Sequence, residues 1–283
     1  QEQGHGLLEP MLYEPLVPVA SPLVKWAVEV TRAADLPRII HRAAKIALTP
    51  PTGPVFLSLP GDVLDESLEL EMGAPVRVVA SSRPSDDSLA LLQEILLKAK
   101  RPAILADHEL ATRDAFKEAA ELAEVLGAAV FQSSIPYSAQ FPSEHPAFMG
   151  SLTRLQKQVR STLEPYDLLL CLGADLLRMS VYSPVEPLPE NRPVVHISER
   201  GHELGKNYRT DLAIQADVKE TLKAPLPRLK RSAEAEKRLQ EIKANNWTAQ
   251  PDQARVEAMM VAEASPIDPK YLMLRFAESL PKD

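Results

Sequence analysis

The sequence predicts an α/β protein whose main domain is a doubly wound parallel sheet between about residues 86 and 224. Short apolar runs of strand length alternate in this region with amphipathic segments of helix length. The runs are apolar at consecutive positions, which is typical of strands that are covered on both faces. An incomplete α/β segment precedes this domain, and a single amphipathic helix follows it.

Residues 1–65 contain one helix–strand unit. Apolar residues recur at helical spacing over 35–48, and Pro50-Pro51 ends the helix. An apolar strand follows at Val55–Leu59. Prolines between residues 15 and 22 leave room upstream for at most one short strand. We therefore expect an incomplete sheet domain here, because one such unit cannot bury its own apolar faces.

Residues 66–85 are predicted to be a linker, because Gly, Pro and Ser interrupt a segment without an apolar pattern of its own. The doubly wound domain follows over 86–224. Its predicted elements are a helix capped by Asp86 or Asp87, strand Pro102–Ala106, a helix capped by Thr112 and ended by Gly127, strand Ala128–Phe131, a helix over 152–163, strands Asp167–Leu172, Val194–Ile197 and Leu212–Gln215, and a helix over 217–223.

Residues 225–264 are rich in charged side chains and are predicted to be a second linker that includes a solvated helix. A new helix is predicted to start in the segment 265–269, because its Ser-Pro and Asp-Pro steps are typical of a helix N-terminus. Leu272, Phe276 and Leu280 lie on one face of this helix. The sequence thus predicts an amphipathic helix over 265–283 without its partner domain.

Composition limits the classes of partner. The net charge of −7 and the pI near 5.5 exclude a basic surface of the kind that binds nucleic acid or anionic membranes. No run approaches the roughly 18 apolar residues that a membrane-spanning helix needs. Cys171 is the only cysteine, which excludes an internal disulfide and fits a reducing compartment. We therefore expect a cytoplasmic protein that binds neither nucleic acid nor membranes.

Four segments carry a family resemblance: residues 53–63 (GPVFLSLPGDV), 141–150 (FPSEHPAFMG), 172–178 (LGADLLR) and 265–283. Together they resemble the thiamine-diphosphate-dependent enzymes, in the branches that include benzoylformate decarboxylase and acetolactate synthase. In that family the first segment closes the pyrimidine-binding domain, the next two belong to the middle domain, and the last opens the diphosphate-binding domain.

The resemblance assigns a domain to each part of the chain. It implies the C-terminal part of a pyrimidine-binding domain over 1–65, a complete middle domain over 86–224 and the start of a diphosphate-binding domain over 265–283. The resemblance covers the whole chain in register, and about half of a typical family member. It therefore implies that this chain is the central portion of a longer polypeptide.

The resemblance also implies a parent enzyme that uses thiamine diphosphate and Mg²⁺ to attack the carbonyl carbon of a 2-keto acid, with decarboxylation or carbon–carbon ligation as the outcome. The activating glutamate of the family falls before Gln1. The Mg²⁺-binding Gly-Asp-Gly motif is absent, since Gly61-Asp62 is the only Gly-Asp pair. We therefore expect the isolated chain to be inactive. Its expected partners are the missing remainder of the polypeptide and further copies of it in a homo-oligomer.

His145 is the candidate catalytic residue, and we predict no cofactor-binding or metal-binding residue in the chain. It follows a predicted strand in a Pro-flanked loop, and the resemblance implies a middle-domain histidine that reaches the active site. The alternative is a loop histidine bonded to backbone. Gly173-Ala174 at a strand end and Arg178 are positions where a nucleotide phosphate can bind, although no G-x-G-x-x-G motif is present; a turn glycine and a surface arginine are the alternatives.

Two alternative functions stay open on the sequence alone. One is a Rossmann-like module that binds a nucleotide in the middle sheet, which release of adenine or flavin on denaturation would support. The other is a non-catalytic structural subunit that completes itself by pairing its two unfinished ends with another chain.

Overall fold

The computed structural model describes residue 3 and residues 14–74, 76–135, 138–179, 181–249 and 251–280, with backbone only for 251–253. The chain divides into two compact units, Gln1–Ser81 and Ser82–Asp283. None of the helices within the described residues has the length and apolar character needed to cross a membrane.

The first unit contains a two-stranded parallel sheet. Strand β1 (Trp26–Glu29) pairs with β2 (Val55–Ser58) in a register that places Trp26 beside Val55. The helices of this unit are α1 (Leu16–Ala20), α2 (Leu36–Leu48) and α3 (Gly61–Asp65), with 3₁₀ turns at Ser21–Leu23 and Ala33–Asp35. The predicted helix, its following strand and one short upstream strand are confirmed. Helices α1 and α3 are too short to produce a helical pattern in the sequence.

The core of the first unit is small. Its buried cluster consists of Val30, Ala33 and Val63, with Leu36 and Ile39 packed against it. Two strands with so few buried side chains provide little of the apolar burial that stabilises an independent sheet domain.

The second unit contains a six-stranded parallel sheet with helices in its connections. The strands are β3 (Pro102–Ala106), β4 (Ala129–Gln132), β5 (Phe148–Ser151), β6 (Leu168–Leu172), β7 (Val194–Ser198) and β8 (Leu212–Gln215). The helices are α4 (Asp86–Lys98), α5 (Glu109–Thr112), α6 (Phe116–Leu126), α7 (Gln156–Leu163), α8 (Val218–Lys223), α9 (Ala233–Asn245), α10 (Pro251–Met260) and α11 (Pro269–Ser279), with 3₁₀ turns at Leu226–Arg228 and Trp247–Ala249.

The strands lie in the spatial order β5-β4-β3-β6-β7-β8. The direction of connection reverses between β3 and β6. Along the chain, β3 is followed by β4 and β5 on one side of the sheet, and β6 is followed by β7 and β8 on the other side. This arrangement is the doubly wound parallel sheet that the sequence predicts.

Both faces of this sheet are covered. Alternate strand residues point to opposite faces, so Ile104 and Leu170 join one buried cluster with side chains of α4, α6 and α8, whereas Leu105 and Cys171 join the other with side chains of α7. All residues of β3, β6 and β7 are buried, as their continuous apolar runs predict. Burial also raises the pKa of the Cys171 thiol, so this cysteine is an inert core residue.

Strand β5 lies in a segment that the sequence predicts to be a loop. Pro146 precedes it and Gly150 interrupts its apolar run, so neither alternation nor a continuous apolar stretch is visible. The strand nevertheless pairs with β4, through a register that shifts between Val130 and Phe131.

Two helix starts differ from the prediction. Helix α4 is capped by Ser85 rather than by Asp86 or Asp87, since the Ser88 N–H donates to Ser85 Oγ at 3.2 Å. Helix α6 begins at Phe116 and is not capped by Thr112. Thr112 is the last residue of α5, and a short turn separates the two helices.

Helix α9 packs on the sheet domain, although the sequence predicts a solvated helix. Ala235 and Leu239 are buried on the side of α6. The contact is close, because α6 ends in Gly127 with φ +58° and a Cβ there would lie 2.4 Å from the Ala235 carbonyl oxygen. Arg238 Nη2 also donates to the Leu126 carbonyl at 2.7 Å. Two apolar positions one turn apart are too weak a pattern to reveal this buried face.

Helices α10 and α11 contact each other through ion pairs. Lys270 Nζ lies 2.9 Å from Glu257 Oε2, and Arg255 Nη2 lies 2.9 Å from Glu278 Oε1. Asp268 caps α11 by accepting from the Lys270 N–H at 2.8 Å, which confirms the predicted helix start.

Gly127→Ala is expected to destabilise the chain more than Gly205→Ala. Both glycines have a positive φ, 58° and 63°, and that conformation costs another residue about 1–2 kcal/mol. At Gly127 the new Cβ would meet backbone at 2.4 Å, whereas at Gly205 the nearest atom is a side-chain oxygen at 3.8 Å. The overpacking should cost Gly127→Ala a further loss of about 1–3 kcal/mol in urea unfolding. Equal losses would contradict the docking of α9 on α6.

Candidate functional site

The reversal of strand order between β3 and β6 forms a crevice at the carboxyl edge of the sheet. Ligands of open α/β sheets bind at this position, because the connections on either side run to opposite faces. The polar residues that follow the strands meet there: Asp107 and Glu109 after β3, Asp175 after β6, and Glu199 and Arg200 after β7. The crevice is therefore the candidate functional site of this unit.

The Glu109 side chain reaches from the end of β3 across the end of β6 to the end of β7, and it is 5% exposed. Its carboxylate accepts hydrogen bonds from Ser198 Oγ at 2.6 Å, from the Glu199 N–H at 3.0 Å and from Arg200 Nε at 3.1 Å. The side chain lies against Gly173, whose φ is +62° and where a Cβ would be 2.2 Å from the Glu109 Cβ. The glycine at the end of β6 thus makes room for a side chain from the end of β3.

Arg200 joins Glu109 to a second buried carboxylate. Its Nη2 lies 2.7 Å from Asp175 Oδ1, and Arg178 Nη2 lies 2.6 Å from Asp175 Oδ2. Burial opposes the positive charge of Arg200, but the hydrogen bond to Glu109 and the charge of Asp175 outweigh burial and raise the pKa of the guanidinium. Glu109, Arg200, Asp175 and Arg178 form one ion-pair group, which we call the crevice network.

A second ion-pair group holds the residue that follows β7. Arg113 pairs with Glu199, its Nε donating to Glu199 Oε2 at 2.7 Å, and lies 3.5 Å from Asp217 Oδ2. Burial opposes the charge of Arg113, but Glu199 and Asp217 outweigh it and raise the pKa of the guanidinium. Asp217 also caps α8 by accepting from the Glu220 N–H at 3.1 Å. The end of β7 is thus fixed to both α5 and α8 through charged residues.

His196 supports the turn at the end of β6. It is fully buried in β7, beside Cys171 of β6 in the sheet register. Its Nε2 donates to the Ala174 carbonyl at 2.8 Å, and burial lowers the pKa of the imidazole. The neutral ring therefore holds the backbone that follows Gly173.

Among the described residues, little free space remains in the crevice. The space that they line has a free volume of about 10 Å³, the room of about one water molecule. Gln140 Nε2 donates to Asp107 Oδ1 at 2.7 Å at its inner side. The residues that line the space are Asp107, Ser133, Ser134, Ile135, Leu152, Asp175, Leu177, Arg178 and Met179.

The positions that the sequence singles out for a nucleotide phosphate have partners within the chain. Glu109 occupies the space at Gly173, and Arg178 pairs with Asp175 and lies 3.6 Å from Glu203. Among the residues that the structure describes, no group of His, Cys, Asp and Glu side chains could hold a metal ion. The packing favours a closed crevice over a nucleotide site.

His145 lies at the opposite edge of the sheet, because the loop after β4 returns to the amino end of β5 and His145 precedes that strand. Its Nδ1 accepts from the Ala147 N–H at 3.2 Å, its Nε2 lies 3.3 Å from Glu124 Oε1, and Phe141 packs edge-on against its ring. Burial lowers the pKa of His145 despite the nearby Glu124. The ring is thus bonded to backbone, and a proton-transfer role in the whole protein stays a prediction.

Glu109, Ser198 and Arg200 are not among the functional residues predicted from the sequence. Their signal is positional, because each lies at or just after the carboxyl end of a predicted strand, where polar residues of a parallel sheet converge. The pairing between them depends on which strands are neighbours. The order of strands along the chain does not reveal that β3 and β7 flank β6.

Residues 89–224 match the family described as thiamine pyrophosphate enzyme, central domain. This region belongs to the thiamine-diphosphate-dependent enzyme family. The matched region starts within α4 and ends after α8, so it contains the six-stranded sheet and the crevice. The resemblance that short sequence segments indicate is thereby confirmed.

Relatives and solved structures of this family match more of the chain than the central domain. It is 30% identical over 214 residues to benzoylformate decarboxylase of Pseudomonas aeruginosa, a match that covers 75% of this chain and 40% of that protein. It is 28% identical over 210 residues to glyoxylate carboligase of Escherichia coli O157:H7, with coverages of 72% and 35%. The structure of the thiamine diphosphate-dependent 4-hydroxybenzoylformate decarboxylase of Rhodococcus jostii RHA1 is 32% identical, with a TM-score of 0.73 and coverages of 82% and 45%. The chain thus spans less than half the length of each of these proteins.

Arg200→Met is expected to destabilise the chain strongly. The change leaves the carboxylates of Glu109 and Asp175, 5% and 4% exposed, without their shared cation. Breaking a buried pair in this way costs about 3–5 kcal/mol, which urea unfolding would measure. The control is Arg209→Met, which removes an 85% exposed guanidinium paired with Asp211 and should cost less than about 1 kcal/mol. Similar unfolding midpoints for the two variants would show that the crevice network does not hold the sheet edge.

Acidification is expected to destabilise the chain partly through His145. Burial lowers its folded-state pKa below the unfolded value of about 6.5. The unfolded chain then binds the proton more tightly, and stability is lost as the pH falls from about 6.5 towards the folded-state pKa. His145→Gln should flatten this part of the profile of unfolding free energy against pH.

The control for that experiment is His202→Gln, because the His202 side chain is 64% exposed. If His145→Gln has the same slope as the unmodified chain, the ring is not a source of acid sensitivity.

Proposed function

We propose that this chain is the central part of a thiamine-diphosphate-dependent enzyme that breaks or forms a bond at the carbonyl carbon of a 2-keto acid. The observation that carries the proposal is the match of residues 89–224 to the central domain of this family. The similarity to a benzoylformate decarboxylase and to a glyoxylate carboligase, each over more than 200 residues, supports a substrate with a carbonyl next to a carboxylate. Decarboxylation and ligation are both compatible with these relatives.

The described residues do not fit thiamine diphosphate or its metal. A Mg²⁺ ion that bridges phosphates needs carboxylate or carbonyl oxygens that are free to coordinate it. The buried carboxylates Glu109 and Asp175 already pair with arginines, and the sequence contains no Gly-Asp-Gly. In this proposal the cofactor is held by other parts of the polypeptide, and the middle domain contributes a rigid core between them.

We also propose that the parent enzyme is a cytoplasmic, magnesium-dependent homo-oligomer. The buried Cys171, which forms no disulfide, fits the reducing cytoplasm. The homo-oligomeric state and the magnesium requirement follow from the family resemblance. The domain limits proposed from the sequence place the end of a pyrimidine-binding domain at 1–65 and the start of a diphosphate-binding domain at 265–283.

The isolated chain is expected not to bind thiamine diphosphate. Isothermal titration of the cofactor with Mg²⁺ into the 283-residue chain should give no heat beyond dilution, because the described residues contain no group of His, Cys, Asp and Glu side chains that could hold the metal. Circular dichroism would establish that the chain is folded during the titration. Micromolar binding would contradict the proposal that the cofactor sites lie in other parts of the polypeptide.

A chimera with a related enzyme tests whether this domain supports cofactor binding when the other domains are present. Residues 89–224 would replace the corresponding segment of the Pseudomonas aeruginosa benzoylformate decarboxylase, and the chimera should retain cofactor binding. The matched control is the same chimera with Arg200→Met, which should lose binding together with folding. A folded chimera that does not bind the cofactor would argue that this domain is not equivalent to the family's middle domain.

A further inference from the structure

The donors around Glu109 have the composition of an anion-binding site. They are a buried hydroxyl from Ser198, a backbone N–H from Glu199 and a guanidinium from Arg200, and all lie within 3.1 Å of one carboxylate. Hydrogen bonds from such donors to a charged acceptor are stronger than those between neutral groups. A ligand carboxylate or phosphate could use the same donors, but here the anion is a side chain of the chain itself.

The Glu109 side chain lies across the end of β6, one of the two strands at the reversal of strand order. In open α/β sheets the crevice at that reversal is the usual ligand position, and in the dinucleotide-binding motif a glycine lets the backbone approach the pyrophosphate. Gly173 has that position and a φ of +62°, yet the atoms next to it are Cβ, Cα and Cγ of Glu109. Glu109 therefore fills the space and occupies the donors Ser198 Oγ, Glu199 N–H and Arg200 Nε that an anionic ligand would need.

The remaining charges do not favour a second anion. Asp107 and Asp175 also line the crevice and are 1% and 4% exposed. Arg200 is shared between Glu109 and Asp175, and Arg178 pairs with Asp175. An entering phosphate would have to displace Glu109 and lie near both aspartates, which like-charge repulsion opposes.

We propose that Glu109 is a built-in occupant of an anion site formed by Ser198, Glu199 N–H and Arg200, and that it closes the crevice to nucleotides. Removal of its carboxylate would leave the donors in place and open a space of matching size. The vacated site would then take a small carboxylate from solution. This inference does not require that the parent enzyme be the one proposed above.

The test is chemical rescue of Glu109→Ala in the whole 283-residue chain. The variant should melt at a lower temperature than the unmodified chain in sodium chloride. Sodium acetate at the same ionic strength should raise that melting temperature with a saturating dependence on concentration, because a ligand that binds only the folded state stabilises it. The unmodified chain should show no such acetate dependence.

Two variants control for other effects of acetate. Glu109→Gln fills the space with a neutral amide, so acetate should not raise its melting temperature. Glu203→Ala removes another buried carboxylate, 8% exposed and paired with Arg178 and Lys206, but lies outside the Ser198–Arg200 donor set. A rise in either control equal to that in Glu109→Ala would overturn the proposal, since it would mean that acetate acts generally.

If Glu109→Ala does not fold in chloride, its refolding from urea would be compared in acetate and in chloride. Acetate should then increase the folded fraction. Failure to fold in both salts, or a folded variant without acetate dependence, would overturn the proposal. Titration of ADP into the unmodified chain should give no binding; saturable binding at the crevice would show that Glu109 does not close it.

Discussion

The burial of the Glu109 carboxylate is the constraint on which the carboxyl edge of the sheet depends. A carboxylate taken out of water loses several kcal/mol of hydration free energy unless charged or polar donors replace the water. The donors to the Glu109 carboxylate, Ser198 and the Glu199 N–H, lie at the end of β7. The Glu109 side chain lies beside Gly173, at the end of β6. One side chain from the end of β3 thus couples three strands, and a change at any of the three ends affects the other two.

Arg200 explains why two buried carboxylates can lie in the same crevice. Its guanidinium presents several donors in one plane, so Nε faces Glu109 while Nη2 faces Asp175. A lysine could supply the charge but not this fixed geometry. The arrangement contributes little net stability if its hydration loss is counted, because buried ion pairs are often no better than apolar packing. Misplacing one strand end would leave a buried charge without its partner, which costs about 3–5 kcal/mol.

The sequence predicts those parts of the fold that depend on local pattern. The strands that became β3, β6 and β7 are apolar at consecutive positions, and burial on both faces follows from that pattern. Strand β5 and the buried face of α9 are missed, because Gly150 breaks one pattern and only Ala235 and Leu239 mark the other. The crevice network is missed for a different reason. Glu109 and Arg200 are 91 residues apart, and only the spatial order of the strands brings them together.

The amino ends and the carboxyl ends of the parallel strands, here called the amino edge and the carboxyl edge, are covered by different kinds of contact. The amino edge is covered largely by ring and backbone contacts, with Glu124 beside the His145 ring: His145 bonds to backbone, Trp247 Nε1 donates to the Ser143 carbonyl at 2.6 Å, and the Trp247 ring packs edge-on against Phe148. The carboxyl edge, where ligands bind in related architectures, is closed by ion pairs. Open α/β sheets usually bind ligands at the carboxyl ends of their strands, and here the Glu109 side chain and its ion pairs lie at those ends. The buried charges of the crevice network therefore bind to one another and hold the strand ends in place.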